Sequence, residues 1–449
     1  MIEKMIQQAR VAQQAFEGFT QEQVDGIVRE IGKVVYDNAE TLARMAVDET
    51  KMGVYEHKVA KNKGKAKIIW HDLKDKKSVD EIARDLDKNI IEIAKPIGVV
   101  GAVTPTTNPI VTPMCNAMFA LKGRNAIVIA PHPRAKGCSG KTVELINERI
   151  EKLGAPKHLI QIIDEPSIDR TNELMQSVDV VVATGGMGMV KAAYGSGKPA
   201  YGVGAGNVQV IVDRDIDFDA AAKNIVAGRT FDNGIICSGE QTVIAHREDY
   251  DSVINAFNKQ GGFLITDREE KKRLRETLFV DGHMNKDIVG QSVQKIAELA
   301  QLEVPMDTTV LLVEADGVGA DDYFCQEKMC PVLSTFKYDS FEDGINIAKR
   351  NLELEGNGHS AAVHSNDIEN IKQVGKALSV SRLVVNAASS TTAGGSFTNG
   401  FAPTTTLGCG SWGNNSISEN FTYKHLLNIS RIGLIRDNVQ VLEDHEIWS

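Results

Sequence analysis

The 449 residues predict an α/β protein of two doubly wound units with a small appended element. Three observations carry that expectation. Short, uninterrupted apolar runs recur from residue 90 onward, at Gly98–Val103, Ala126–Ala130, Leu159–Ile163, Val178–Ala183 and Val208–Val212. Helical stretches separate several of them, notably Lys141–Leu153 and Met187–Tyr194. A second set of strand candidates, Thr242–Ala245, Val310–Glu314 and Leu383–Asn386, follows a change of texture near residue 230. Continuous apolar strands alternating with helices imply parallel sheets covered on both faces, and at about 150 residues per domain the length exceeds one ordinary unit.

Taken in order, the first 80 residues read as helix. Thr20-Gln21-Glu22-Gln23 has the form of a capping box, and Val24, Ile27, Val28, Ile31, Val34 and Val35 fall on one helical stripe. A second helix covers Ala39 to Glu49, and the lysine-rich stretch from Lys58 to Lys77 reads as a solvated helix face or loop. Helices near 250–259, 289–301 and 366–378 accompany the second set of strands. The expected organisation is therefore a unit over 1–229, a second over 230–410, and a segment over 411–449 that returns to the first unit or meets another subunit. A tryptophan at the extreme end, Trp448, is expected to dock on one or the other.

Hydrophobic residues make up 42% and charged residues 24%, enough to bury large cores. Fifty basic residues against 60 acidic ones leave a net charge of -10, which argues against a nucleic-acid partner. No apolar stretch reaches the length of a membrane span, and the opening segment is amphipathic, so no membrane partner and a cytoplasmic location are expected. Six cysteines without a C-x-x-C pair fit a reducing compartment.

Four segments carry residues suited to chemistry. Phe231-Asp232-Asn233-Gly234-Ile235-Ile236-Cys237-Ser238-Gly239-Glu240-Gln241 places a cysteine after a glycine-bearing loop and before a strand. Such a cysteine is either a small buried hydrophobe or an accessible nucleophile. Thr104-Pro105-Thr106-Thr107-Asn108-Pro109 follows a strand directly, as a stiff turn or as a mount for an amide donor. Thr184-Gly185-Gly186-Met187-Gly188 lies between a strand and a helix, where free backbone amides favour phosphate, although the spacing is not G-x-G-x-x-G. Tyr201-Gly202-Val203-Gly204-Ala205-Gly206-Asn207 is a glycine loop before a strand.

These segments, with Pro131-His132-Pro133-Arg134 between them and Glu327-Lys328-Met329-Cys330-Pro331-Val332 beyond, resemble the aldehyde dehydrogenase superfamily in its coenzyme-A-acylating branch. Glu355-Gly356-Asn357-Gly358-His359-Ser360 and Leu407-Gly408-Cys409-Gly410-Ser411-Trp412-Gly413 are similar to later motifs of that branch. The likeness extends from about residue 20 to 440 and includes the aldehyde dehydrogenase half of the bifunctional aldehyde/alcohol dehydrogenases. Within that branch the chain resembles the acylating succinate-semialdehyde dehydrogenases.

The resemblance implies a cofactor unit, a catalytic unit and an oligomerisation element, working as a homodimer or higher assembly on a small aldehyde or acyl-CoA. It makes Cys237 the nucleophile and the Asn108 amide, with the Cys237 backbone N–H, the oxyanion donors. Such donors are worth roughly 3–4 kcal/mol each. His359 is implied as the base for the coenzyme A thiol, with titration expected near working pH. NADP or NAD is implied to bind at Thr104, Pro105, His132, Pro133, Arg134, Thr184, Gly185, Gly186, Gly202, Gly204, Glu327 and Pro331. Glu327 would meet the nicotinamide ribose, and Arg134 would pair with a 2′-phosphate in NADP. Hydrolytic relatives carry a water-activating glutamate in a Glu-Leu-Gly-Gly-Lys segment, and matching it here puts Gly202 in its place. A thioester lacking that base would wait for coenzyme A, and Gly202→Glu is expected to raise hydrolysis.

Overall fold

Four helices open the chain, α1 (Ile2–Phe16), α2 (Gln21–Asp37), α3 (Ala39–Thr50) and α4 (Tyr55–Leu73), in a computed structural model that describes residues 1–436 and 439–449. Helix α2 begins at the capping box: the Thr20 amide donates to Gln23 Oε1 at 2.9 Å while the Gln23 amide donates to Thr20 Oγ1 at 3.3 Å. Its apolar stripe is buried throughout. Helix α4 departs from expectation. Lys58 and Lys61, taken as part of a solvated face, are only 2% and 9% exposed.

The first lobe then builds β1 (Asp80–Asp85), β2 (Ile90–Pro96), β3 (Val99–Val103), α5 (Val111–Lys122), β4 (Ala126–Ala130), α6 (Lys136–Glu151), β5 (Ile160–Ile162), α7 (Ile168–Ser177), β6 (Val180–Thr184), α8 (Met187–Tyr194) and β7 (Ala200–Val203). Strands β3 to β7 form one parallel sheet in the order β5-β4-β3-β6-β7. The chain winds outward from β3 to β5 and then returns to β6, so the strand order reverses between β3 and β6. Ligands of open α/β sheets bind beyond the carboxyl ends at such a reversal.

The second lobe starts earlier than residue 230. Strand β8 (Gln209–Val212) already pairs with strands of the second sheet, so the chain changes sheets between residues 203 and 209. After α9 (Phe218–Thr230) come β9 (Thr242–His246), α10 (Tyr250–Asn258), β10 (Gly262–Ile265), α11 (Arg268–Leu278), the short hairpin β11 (Phe279–Val280) and β12 (His283–Met284), α12 (Val293–Ala300), β13 (Val310–Glu314), β14 (Val332–Tyr338), α13 (Phe341–Leu354), β15 (Gly358–His364), α14 (Ile368–Ala377) and β16 (Val380–Val385). Seven of these strands form a parallel sheet ordered β10-β13-β14-β9-β8-β15-β16.

The last segment crosses back. Phe421, Tyr423 and Leu426 join the first core, and β17 (Leu427–Gly433) lies antiparallel on β2. In the resulting three-stranded sheet, ordered β1-β2-β17, β17 is an edge strand. Trp448 is 85% exposed and does not dock on the parent chain. Among the described residues, no helix is long and apolar enough to cross a membrane.

Candidate active site

Backbone conformation brings Cys237 to the seam between the lobes. Beyond α9, Asp232, Asn233 and Gly234 take left-handed φ values of 54°, 53° and 72°, reversing the chain into the turn that carries Ile236, Cys237 and Ser238. Left-handed geometry is strained for residues with a side chain, so something must hold it. Arg229, fully buried, does part of this. Its guanidinium donates to the carbonyls of Cys330 and Glu240 at 2.8 Å and of Gly234 at 3.1 Å, tying both ends of the cysteine turn to the strand beside it. On the other side, a Cβ at Gly206 would lie 1.7 Å from the Cys237 carbonyl oxygen, so only glycine allows that approach.

Cys237 opens into a cavity of about 380 Å³ that Asn108, Lys61, Lys65, Ser238 and Ser390 also line. No Asp or Glu is among its lining residues. Asn108 sits on the loop after β3, where the sequence placed it. Lys61 Nζ donates to Asn108 Oδ1 at 2.7 Å, while Asn108 Nδ2 reaches only Thr107 Oγ1, at 3.5 Å. An ammonium is only a donor, so the atom it meets must be the carboxamide oxygen, and the NH2 is left to donate elsewhere. The Cys237 backbone N–H also makes no hydrogen bond within the described residues. Lys65 Nζ donates to the Gly394 carbonyl at 2.8 Å and the Thr404 carbonyl at 3.2 Å, leaving its third proton without a protein acceptor among the described residues. The Ser390 hydroxyl, buried in the same wall, has no partner either.

Burial dominates the electrostatics. It pushes the Cys237 thiol up to about 12, with Glu327 and Cys409 adding to the rise and Arg382 opposing it. The resting group is therefore a thiol. Burial also lifts Glu327 to about 8, assisted by Glu355, and Glu240 to about 7. Lys65 is lowered to about 8 by desolvation, so its ammonium stays mostly charged at pH 7. Glu240 faces inward and accepts from the Ser389 amide at 2.5 Å, which makes it a loop anchor.

His359 corrects an expectation. It is 0% exposed, and burial together with Arg382 lowers it to about 3, so it does not titrate near working pH. Its Nδ1 meets Ser360 Oγ at 3.1 Å and its Nε2 has no partner among the described residues. It does not line the Cys237 cavity.

A second, smaller cavity of about 130 Å³ lies at the strand-order reversal and unites Thr104, Pro105, His132, Pro133, Thr184, Gly185 and Gly186. Thr104 Oγ1 is buried there without a partner, and a Cβ at Gly186 would meet nothing, so the glycine leaves outward room. An orphan hydroxyl beside the free amides opening α8 suits the phosphates and ribose of a dinucleotide. Arg134 is exposed and lies outside the lining, its amide donating to His132 Nδ1 at 3.1 Å. Pro331 enters β14, its carbonyl accepting from the Leu311 amide, and lines neither cavity. Gly204 packs near Met187 and Cys409, also outside both linings.

Gly202 is a further correction. It lies within β7, and a Cβ there would come within 2.7 Å of Val190 and 2.9 Å of Tyr194 on α8. A glutamate would be driven into that helix, so Gly202→Glu is now expected to destabilise the protein without delivering a base. Sequence reasoning also missed Lys61, Lys65, Arg229 and Asp232; only the unusual density of lysines in α4 pointed toward two of them.

The aldehyde dehydrogenase family model matches residues 1–406. A succinate-semialdehyde dehydrogenase (acetylating) of Clostridium kluyveri is 56% identical over 447 residues, covering 100% of this chain and 98% of that protein. A sulfoacetaldehyde dehydrogenase of Acholeplasma sp is 44% identical, covering 96% and 90%. The crystal structure of an acetylating aldehyde dehydrogenase from Geobacillus thermoglucosidasius superposes with a TM-score of 0.94 at 38% identity, over 98% of each chain.

Two outcomes are expected of the site itself. Because the resting thiol lies near 12, the alkylation rate of the free enzyme's Cys237 should climb about tenfold per pH unit from pH 7 to 10, without a plateau; a plateau near pH 7 contradicts this. Gly206→Ala should cost most of the activity by displacing the Cys237 carbonyl, measured as a loss in kcat.

Proposed function

We propose a reaction for this chain from the premise that it belongs to the aldehyde dehydrogenase family. The protein is an acylating aldehyde dehydrogenase that uses NAD(P) and coenzyme A. In our reading, the Cys237 thiol gives up its proton to solvent and adds as thiolate to the aldehyde carbon, and the new oxyanion is held by Asn108 Nδ2 and the Cys237 N–H. When bound, the nicotinamide accepts the hydride that leaves the carbonyl carbon. The product on the protein is a thioester at Cys237. Coenzyme A, its thiol proton lost to solvent, then adds as thiolate, and collapse expels Cys237 as thiolate, which takes up a proton again, with formation of acyl-CoA.

The observation that carries this reading is the charge of the cavity. Its lining has amide donors and lysines but no carboxylate, so water lacks a general base beside the thioester. In this reading Thr104, Pro105, His132, Pro133, Thr184, Gly185 and Gly186, which line one cavity, hold the cofactor, while Glu327 and Arg134, outside both linings, keep the ribose and 2′-phosphate roles implied by resemblance. His359, held neutral and outside the lining of the Cys237 cavity, is not assigned the base role.

The same cavity supports succinate semialdehyde as the aldehyde. A half-buried ammonium with a spare proton, lining the same cavity as the unpartnered Ser390 hydroxyl, suits a substrate with an anionic far end, since desolvated charges favour such pairing. Sulfoacetaldehyde shares that chemistry and is the second reading, favoured by the 44% identity to the Acholeplasma protein. The exposed apolar residues Ile429 and Ile432 on the edge strand β17 support a homodimer or higher assembly. Six free cysteines support a cytoplasmic setting.

Wild type should form acyl-CoA from succinate semialdehyde with far higher kcat/KM than from propanal. Lys65→Met should cut the anionic-to-neutral preference roughly tenfold to a hundredfold, the worth of a hydrogen bond to a charged group. Equal losses on both aldehydes would remove Lys65 from substrate recognition. Free acid formed without coenzyme A, at the rate of the coenzyme A reaction, would exclude acyl transfer.

A further inference from the structure

Asp232 shares no element with the cavity's amide donor, yet one chain of contacts joins them. Its carboxylate is 0% exposed. Oδ2 accepts from Lys61 Nζ at 2.6 Å and from Lys58 Nζ at 3.0 Å, and Oδ1 accepts from the Val54 amide at 2.9 Å. The Asp232 amide donates to His57 Nδ1 at 2.9 Å. A Cβ at Gly53 would fall 2.0 Å from Asp232 Oδ1, so the turn before α4 closes directly on the carboxylate. Lys61 in turn reaches across to Asn108 Oδ1. Three separate segments, α4, the loop after β3 and the left-handed turn before Cys237, therefore converge on a single ion cluster.

We propose that Lys61 and Asp232 are a positioning pair for the oxyanion site. Lys61 pins the Asn108 carboxamide oxygen so that the NH2 stays turned to the Cys237 sulfur, and Asp232 ties that pin to the loop bearing the nucleophile. A carboxamide has nearly the same shape when turned by half a revolution, but the turned form presents lone pairs to a developing oxyanion. Packing cannot tell the two apart, whereas an ammonium can, because it repels the NH2 and accepts nothing. Two ammonium groups facing one carboxylate also leave the cluster one positive charge in excess, on the side of Asn108 away from its free N–H. That charge draws electron density from the amide and strengthens its donation. A buried ion cluster is weak support for stability alone, and its value here lies in orientation at the reacting centre.

This inference rests on Asn108 being the oxyanion donor, and its test separates the two. Acylation of Cys237 by p-nitrophenyl acetate forms an S–acyl bond through a tetrahedral oxyanion and releases p-nitrophenolate, with no cofactor or coenzyme A. Alkylation of the same sulfur by iodoacetamide displaces iodide and forms no oxyanion. Asn108→Ala should slow acylation roughly a hundredfold to a thousandfold relative to alkylation. Lys61→Met should slow it at least about tenfold relative to alkylation, and should add less than about a twofold loss in the Asn108→Ala background, since it acts through that side chain. Lys61→Arg, which keeps donor and charge, should restore most of the rate. Asp232→Asn should shift the ratio in the same direction and carries the comparison should Lys61→Met fail to fold. Parallel loss of both reactions, no loss at all, or a full additional loss in the Asn108→Ala background would overturn the proposal. An Asn108→Ala protein with normal acylation would instead overturn the oxyanion assignment beneath it.

Discussion

The Cys237 sulfur lies between two parallel sheets, in a cavity whose charged side chains are all basic. Much of the chemistry descends from that arrangement. In the proposed reaction a thioester there would find no carboxylate among the lining residues to activate water, and the lysines of the lining favour negative charge. The thiol itself pays for its seclusion with a raised pKa. Arg382, itself buried and donating to the His359 and Gly408 carbonyls, is a nearby charge that works against that rise. The site thus keeps its sulfur protonated.

Holding the sulfur in place takes more residues than reacting with it. Arg229 spends its donors on backbone carbonyls around the turn, and glycine at 206 gives the backbone room to pass. Asp232 and its lysines link the amino-terminal helices to the same turn. Of these contacts, the ion pairs of Lys58 and Lys61 with Asp232 join α4 to the turn that carries the cysteine, so the cavity is complete only with both in place.

What could be read from residues alone followed local rules. The capping box and stripe of α2 and the apolar strands β3, β4 and β6 were visible because propensity and burial agree there. The residues of the second cavity were legible as a group because they sit on loops that follow those strands. Lysines 58, 61 and 65 were hidden because their burial depends on Asp232 and on the carbonyls of Gly394 and Thr404, hundreds of positions away in some cases. His359 was misjudged for a related reason: its low pKa comes from enclosure and from Arg382, neither apparent in a linear motif. The change of sheet ahead of β8 was missed because a short apolar strand does not announce which sheet it joins. Gly202 misled because a motif match fixes sequence position but not the direction of the missing Cβ.

The central claim is that a thioester on Cys237 outlasts water and yields only to a second thiol. Mixing the enzyme with succinate semialdehyde and NADP+, without coenzyme A, tests it most directly when NADPH and the mass of the Cys237 peptide are followed together. The account predicts a burst of one NADPH per site, an acyl adduct on Cys237 that persists, and resumed turnover when coenzyme A is added. Continuous NADPH formation with free succinate and an unmodified Cys237 would contradict it.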